Sequence, residues 1–121
     1  MMARNMSFAL TTEQYRDQTK TVTRRNGWEF AQLGEIVNGC EKCQGLKKGE
    51  KIVKIGQHRW VSLRWEPLRR MIDEPEYGCK EVIREGFNYM TPQEFVDMYC
   101  AHNKCTPDTL VHRMEFEYID N

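Results

Sequence analysis

Apolar and polar residues alternate at both ends of this chain and in its middle, and a period of two marks strands. Near the start, Met6, Phe8 and Leu10 alternate with Ser7 and Ala9, predicting a first strand with one buried face. The longest such signal runs from Lys51 to Trp65. It puts Val53, Ile55, Val61, Leu63 and Trp65 on one face and Lys54, His58, Trp60, Ser62 and Arg64 on the other, with Gly56 as a bulge or hairpin point. At the far end Met114, Phe116 and Tyr118 alternate with Arg113, Glu115 and Glu117. Asn26-Gly27 and Leu33-Gly34-Glu35 read as turns, the second feeding a strand at Ile36 and Val37.

Capping and stop signals predict short helices between these strands. Thr11-Thr12-Glu13-Gln14 has the form of a capping box, opening a helix to Gln18 whose one apolar anchor is Tyr15. Leu68 to Ile72 reads as a single helical turn. Pro75 begins a helix that ends at Glu85 before Gly86, with Cys79, Val82 and Ile83 facing inward. Thr91-Pro92-Gln93-Glu94 opens another, with Phe95, Met98, Tyr99 and His102 as its stripe. Strands at both ends and in the middle, with few helices, predict an α+β fold. The expected architecture is a small β-barrel with flanking short helices, its terminal strands paired to remove two edges.

Composition narrows this picture. A chain of 121 residues is expected to be one domain, 1–121, with a core that needs neither disulfides nor metal. Hydrophobic residues at 40% and charged residues at 30% exclude a disordered chain. No apolar run reaches the length of a membrane span, and the first residues lack a signal-peptide pattern, so the expected location is cytoplasmic, with the five cysteines reduced. The formal net charge of zero excludes a general polycation. The charge is uneven, however: Lys42 to Arg59 holds six Lys or Arg and one acid, and Asp73 to Asp97 seven acids and two bases. A bipolar surface that takes an anion on one side is the expectation.

The chemistry concentrates in Lys20-Thr21-Val22-Thr23-Arg24-Arg25, three cations and two hydroxyls directly after the first helix. Such a stretch suits a phosphate, a carbonyl oxygen or a developing oxyanion. The alternative is an ordinary strand with solvated cations. If extended, Thr21, Thr23 and Arg25 share one face and Val22 and Arg24 the other. A second constellation is Trp60 beside Lys54 and Arg64, since an aromatic on a basic strand face is how small barrels stack nucleobases; the alternative is a tryptophan covered by a helix. Cys40-x-x-Cys43 has the spacing of a zinc half-site, with Cys100, Cys105 and His102 as distant partners, against the alternative of unrelated reduced thiols. Neither metal nor cofactor is expected.

The Lys20–Arg25 stretch resembles the hallmark of the ASCH domain family, relatives of PUA-like RNA-binding barrels, which carry a Gly-x-Lys-x-x-x-x-Arg run at the end of the first helix. Lys20 and Arg25 match its Lys and Arg, and Gln18 stands where the glycine is expected. The N4-acetylcytidine amidohydrolase branch looks like Lys-Thr-x-Thr-x-Arg here, which Lys20, Thr21, Thr23 and Arg25 fit. That branch also uses a glutamate ahead of a Thr-initiated helix, and Glu85, before Thr91, is the matching position. The Cys40–Glu50 loop resembles that of longer bacterial and phage members. The resemblance implies Lys20, Thr23 and Glu85 as catalytic residues, with Thr21 and Arg25 binding RNA or a modified nucleoside. It leaves three activities open: amide hydrolysis, binding without turnover, and ribonuclease action.

Overall fold

A computed structural model describes residues 3–43 and 45–119. Five strands form one sheet in the order β1-β3-β4-β5-β2: β1 (Arg4–Ser7), β2 (Val22–Arg25), β3 (Ile36–Cys40), β4 (Lys54–Pro67) and β5 (Leu110–Tyr118). All neighbours are antiparallel except β1 and β3. The described residues also form four helices: α1 (Thr12–Arg16), α2 (Arg70–Asp73), α3 (Pro75–Glu85) and α4 (Pro92–Asn103). The fold is mixed α+β, a strongly curled half-barrel flanked by short helices. The terminal strands share this sheet but do not pair with each other, contrary to the expected closure. The gap between the edge strands is spanned instead by a side chain, Arg25 on β2 donating to the Ser7 carbonyl at the end of β1 (2.7 Å).

Two cores lie on opposite sides of the sheet. Inside the curl, Met6, Phe8, Tyr15, Val37, Trp60, Met114 and Phe116 pack together. Outside it, Leu68, Met71, Val82, Phe87, Phe95, Val96, Tyr99 and Val111 join α2, α3 and α4 to β5. Gly78 lets α3 close on α2, because a β-carbon there would stand 1.9 Å from the Met71 carbonyl oxygen.

Four expectations are corrected. β1 ends at Ser7, leaving Leu10 58% exposed. α1 stops at Arg16 and its Thr11 makes no side-chain cap; Thr12 bonds back to the Phe8 carbonyl instead. The longest strand starts at Lys54, and the inward face in its first half belongs to His58 and Trp60, leaving Val61 exposed. The register slips between Trp60 and Ser62, where Val61 is the extra residue, so Leu63 beyond the bulge shares the face of Trp60. In α3 the buried face is Gly78, Glu81, Val82 and Glu85, while Cys79 and Ile83 are exposed. A helix that buries glutamates looks inverted to any hydrophobicity count. The acidic segment consequently makes less acidic surface than its composition suggests. At α4, by contrast, the capping box of Thr91 and Glu94 forms.

Candidate functional site

The turn after α1 delivers Lys20. Asp17 accepts from the Thr19 hydroxyl (2.6 Å) and N–H (3.0 Å), and the Gln14 carbonyl accepts from the N–H groups of Thr19 and Lys20. Gln18 sits in this turn at φ +63°, the left-handed region that glycine occupies without strain. The position where the family pattern carries glycine thus has a glycine's conformation.

Lys20 and Thr21 dock on the C-terminal end of α3, where helix carbonyls have no partners of their own. The Thr21 N–H donates to the Arg84 carbonyl at 2.8 Å, and the Lys20 ammonium nitrogen to the Glu85 carbonyl at 2.6 Å. Gly86 follows in the left-handed region (φ +94°), where a β-carbon would crowd Gln14 at 3.0 Å. Glycine therefore both ends the helix and allows the α1 turn to approach it.

Lys20 Nζ also meets Glu85 Oε1 at 3.0 Å, and Arg24 Nη1 meets Glu85 Oε2 at 3.1 Å. Lys20, Arg24 and Glu85 are all buried from bulk solvent. A cavity of about 220 Å³ opens beside them, lined on its polar side by Lys20, Thr23, Arg24, Arg25 and Glu85. Phe8, Phe87, Phe95, Met98 and Tyr99 form its apolar side, and His102 lies among the α4 residues lining it. Within it, Arg25 Nε donates to the Thr23 hydroxyl at 3.1 Å. Among the described residues Arg25 forms no ion pair, so its charge is left for whatever enters the cavity. Burial holds the Lys20 amine below its ordinary pKa against the pull of Glu85, and Arg25 and Arg24 push the same way as burial.

A sealed ionic seam adjoins the cavity. Arg24 and Arg113 stand opposite each other on β2 and β5, like charges that repel. Glu81 lies against both: its Oε1 accepts from Arg24 and Arg113 at 2.5 Å each, and its Oε2 from Arg113 at 3.0 Å and Arg84 at 2.9 Å. Glu66 closes the other side, accepting from Arg24, Arg64, Arg70 and Tyr77. Burial raises the Glu81 carboxyl, but Arg113 and Arg24 outweigh it and hold the group far below its ordinary value. Burial likewise opposes ionisation of Arg24, and Glu85 and Glu81 reverse that effect to a net rise.

Lys20, Thr23, Arg25 and Glu85 therefore line one cavity, while the remaining sequence candidates lie elsewhere. Thr21 is half-buried and contributes backbone bonds. Lys54 is exposed at the start of β4. Trp60 is 1% exposed and packs against His58, Phe116 and Trp28, so it offers no face for a base to stack on; the interior of the curl claims the ring. Arg64 is tied to Glu66 and Tyr77, across the bulge from Trp60. The basic, aromatic strand face does not exist. The cysteines form no ligand cluster: among the described residues no three His, Cys, Asp or Glu side chains are grouped so that they could hold a metal ion. Sequence reasoning missed Glu66, Glu81 and Arg113, and it named Arg24 within the stretch without giving it a role. The signal that could have found them is the four-residue spacing of Glu81 and Glu85 on one helix face, matched by arginines on strands.

No protein-family model matches the chain, and no curated protein matches it. Among solved structures it is similar to protein EF3133 of Enterococcus faecalis, of the DUF984 family. The TM-score is 0.65 at 13% identity, over 99% of this chain and 82% of that one. At that identity the likeness establishes the fold alone, a curled half-barrel sheet with short helices. Among the described residues no helix is long and apolar enough to cross a membrane.

Proposed function

We propose that the cavity binds a modified nucleoside and hydrolyses an exocyclic amide on its base, as in N4-acetylcytidine. The observation that carries this reading is the pairing of a buried Lys20–Glu85 unit with the Thr23–Arg25 hydroxyl on one cavity wall. At about 220 Å³ the space falls below the roughly 300–1,000 Å³ of clefts for drug-sized ligands, which suits a single base or nucleoside. With Trp60 buried, a stacked single strand has less to recommend it than one small ligand.

In this reading Lys20 acts as an amine. Its two N–H bonds point at the carbonyl and carboxylate of Glu85, and its lone pair is left for the cavity. As the Thr23 oxygen attacks the amide carbonyl, Lys20 takes the hydroxyl proton, and Arg25 stabilises the oxyanion. The C–N bond then breaks, and the proton passes from Lys20 by way of Glu85 Oε1 to the leaving amine. Water, deprotonated by Lys20, attacks the resulting Thr23 ester and releases the carboxylate, restoring the hydroxyl. A direct attack by water on the amide needs the same groups.

Purified protein incubated with N4-acetylcytidine is expected to release cytidine and acetate, read by chromatography. Binding without product, measured by calorimetry, would reduce the site to a recognition pocket, and neither binding nor product would remove the nucleoside reading.

A further inference from the structure

The motif that resembles the amidohydrolases assigns Lys20, Thr23, Arg25 and Glu85 but leaves the position between Thr23 and Arg25 open. In this chain that position is Arg24, and it is the side chain that joins the sealed seam to the cavity. We infer that Arg24 is a positioning residue: it fixes the Glu85 carboxylate and, through charge, keeps the Lys20 amine ready to accept a proton. The inference rests on the proposed role of Lys20 as a base.

The geometry has two parts. First, Arg24 Nη1 holds Glu85 Oε2 at 3.1 Å while Lys20 holds Oε1 at 3.0 Å, so each oxygen of the carboxylate has its own cationic partner. Arg24 is itself anchored by Glu81 at 2.5 Å and Glu66 at 3.2 Å, residues of a helix and a strand on the far side from Lys20. Second, Arg24 changes how Lys20 titrates. A carboxylate facing a lone lysine favours the ammonium form and opposes base action. A second cation on the same carboxylate spends part of that attraction and repels the ammonium.

The groups that face Lys20 come from several elements. Glu85 lies on α3, Arg24 and Arg25 on β2, and the Tyr118 hydroxyl of β5 donates to the Lys20 carbonyl (2.5 Å). Tyr99 and His102 of α4 line the same cavity. Of these only Glu85 favours the charged amine. A neutral Lys20 is then the state that the surrounding cations favour.

Arg24→Gln is a usable test because each carboxylate keeps another partner. Glu81 retains Arg113 and Arg84, Glu66 retains Arg64 and Arg70, and Glu85 retains Lys20. The titration of Lys20 is followed by NMR on protein labelled with 15N-lysine, the signal being assigned by its loss in Lys20→Met. In Arg24→Gln the Lys20 midpoint is expected to move up by about one pH unit, and in Arg24→Lys to return most of the way. Where turnover is measured, the acid limb of kcat should move by the same amount with KM little changed. An unmoved or lowered midpoint in folded Arg24→Gln overturns the inference. If that variant does not fold, Arg24→Lys decides it: a midpoint within half a unit of the parent supports a charge role, and a larger rise overturns it. The NMR readout needs no turnover, so failure of the hydrolase reading and failure of this inference are seen separately.

Discussion

Glu81 and Glu85 lie one turn apart on the same buried face of α3, and the chain uses them differently. Glu81 is saturated: three guanidiniums surround it, and it stands 0% exposed between two facing arginines. Glu85 is held just as firmly, but its partner Lys20 and its neighbours Thr23 and Arg25 border a cavity, and among the described residues Arg25 makes no direct ion pair. Burial and ion pairing alone therefore do not separate a structural carboxylate from the one that the proposed reaction uses. What separates them is whether the surrounding donors are all spent.

Breaking the sealed side should have the largest effect on stability. Glu81→Ala leaves Arg24 and Arg113 buried and facing each other, and the expected cost is about 3–5 kcal/mol, read from the urea midpoint. The open side should tolerate the matching change. Lys20→Met leaves Glu85 paired with Arg24, so the midpoint is expected to stay within about 1 kcal/mol of the parent or to rise, since an apolar chain of similar length replaces a buried polar group. Turnover in Lys20→Met should be abolished. Glu85→Gln should keep ligand affinity while slowing turnover by roughly 10²–10⁴-fold, as expected when a proton carrier is lost. Equal stability losses in Glu81→Ala and Lys20→Met would erase the distinction.

Acid resolves the sealed side further. Glu81 and Glu66 titrate below their ordinary value of 4.5 in the fold, so their stabilisation is complete above that pH and is lost as pH falls below it. His58, pushed down from 6.5 to about 3 by burial and by Arg25, acts earlier. The unfolded chain takes up that proton first, so stability should fall by about 1.4 kcal/mol per pH unit through the window between those values. His58→Gln should remove the upper part of the acid limb and Glu81→Gln the lower. The smallest effect concerns the turn that carries Lys20. Gln18→Gly relieves a left-handed residue and should add up to about 1 kcal/mol without altering turnover.

The fold class, the curled sheet and the Thr91 cap were legible because each has a local cause: alternation, turn residues, a cap spaced three from its glutamate. The parity of β4 was not, because one inserted residue at Val61 reverses every inward assignment beyond it, and no local signal marks a bulge there. Trp60 was misread for the same reason that His58 was: a polar neighbourhood in sequence became an apolar interior in space. At the site, Lys20, Thr23, Arg25 and Glu85 could be named from a resemblance. The resemblance gives no role to Arg24 or Glu81, and charged residues look like surface until a helix and two strands are placed against one another.

The pairing of β2 with β5 alone, Val22 opposite Glu115 and Arg25 opposite His112, has a consequence for how the protein is made. On the ribosome, the strand bearing Thr23 and Arg24 emerges early and must wait for nearly the whole of the chain before its one neighbour exists. During that interval two arginines' worth of charge stays hydrated, and β2 has no strand beside it. Closing so long a loop is slow, which places the assembly of the site among the last events of folding. A nascent chain halted before Leu110 would carry every residue that lines the cavity and still lack the strand that holds β2 in the sheet.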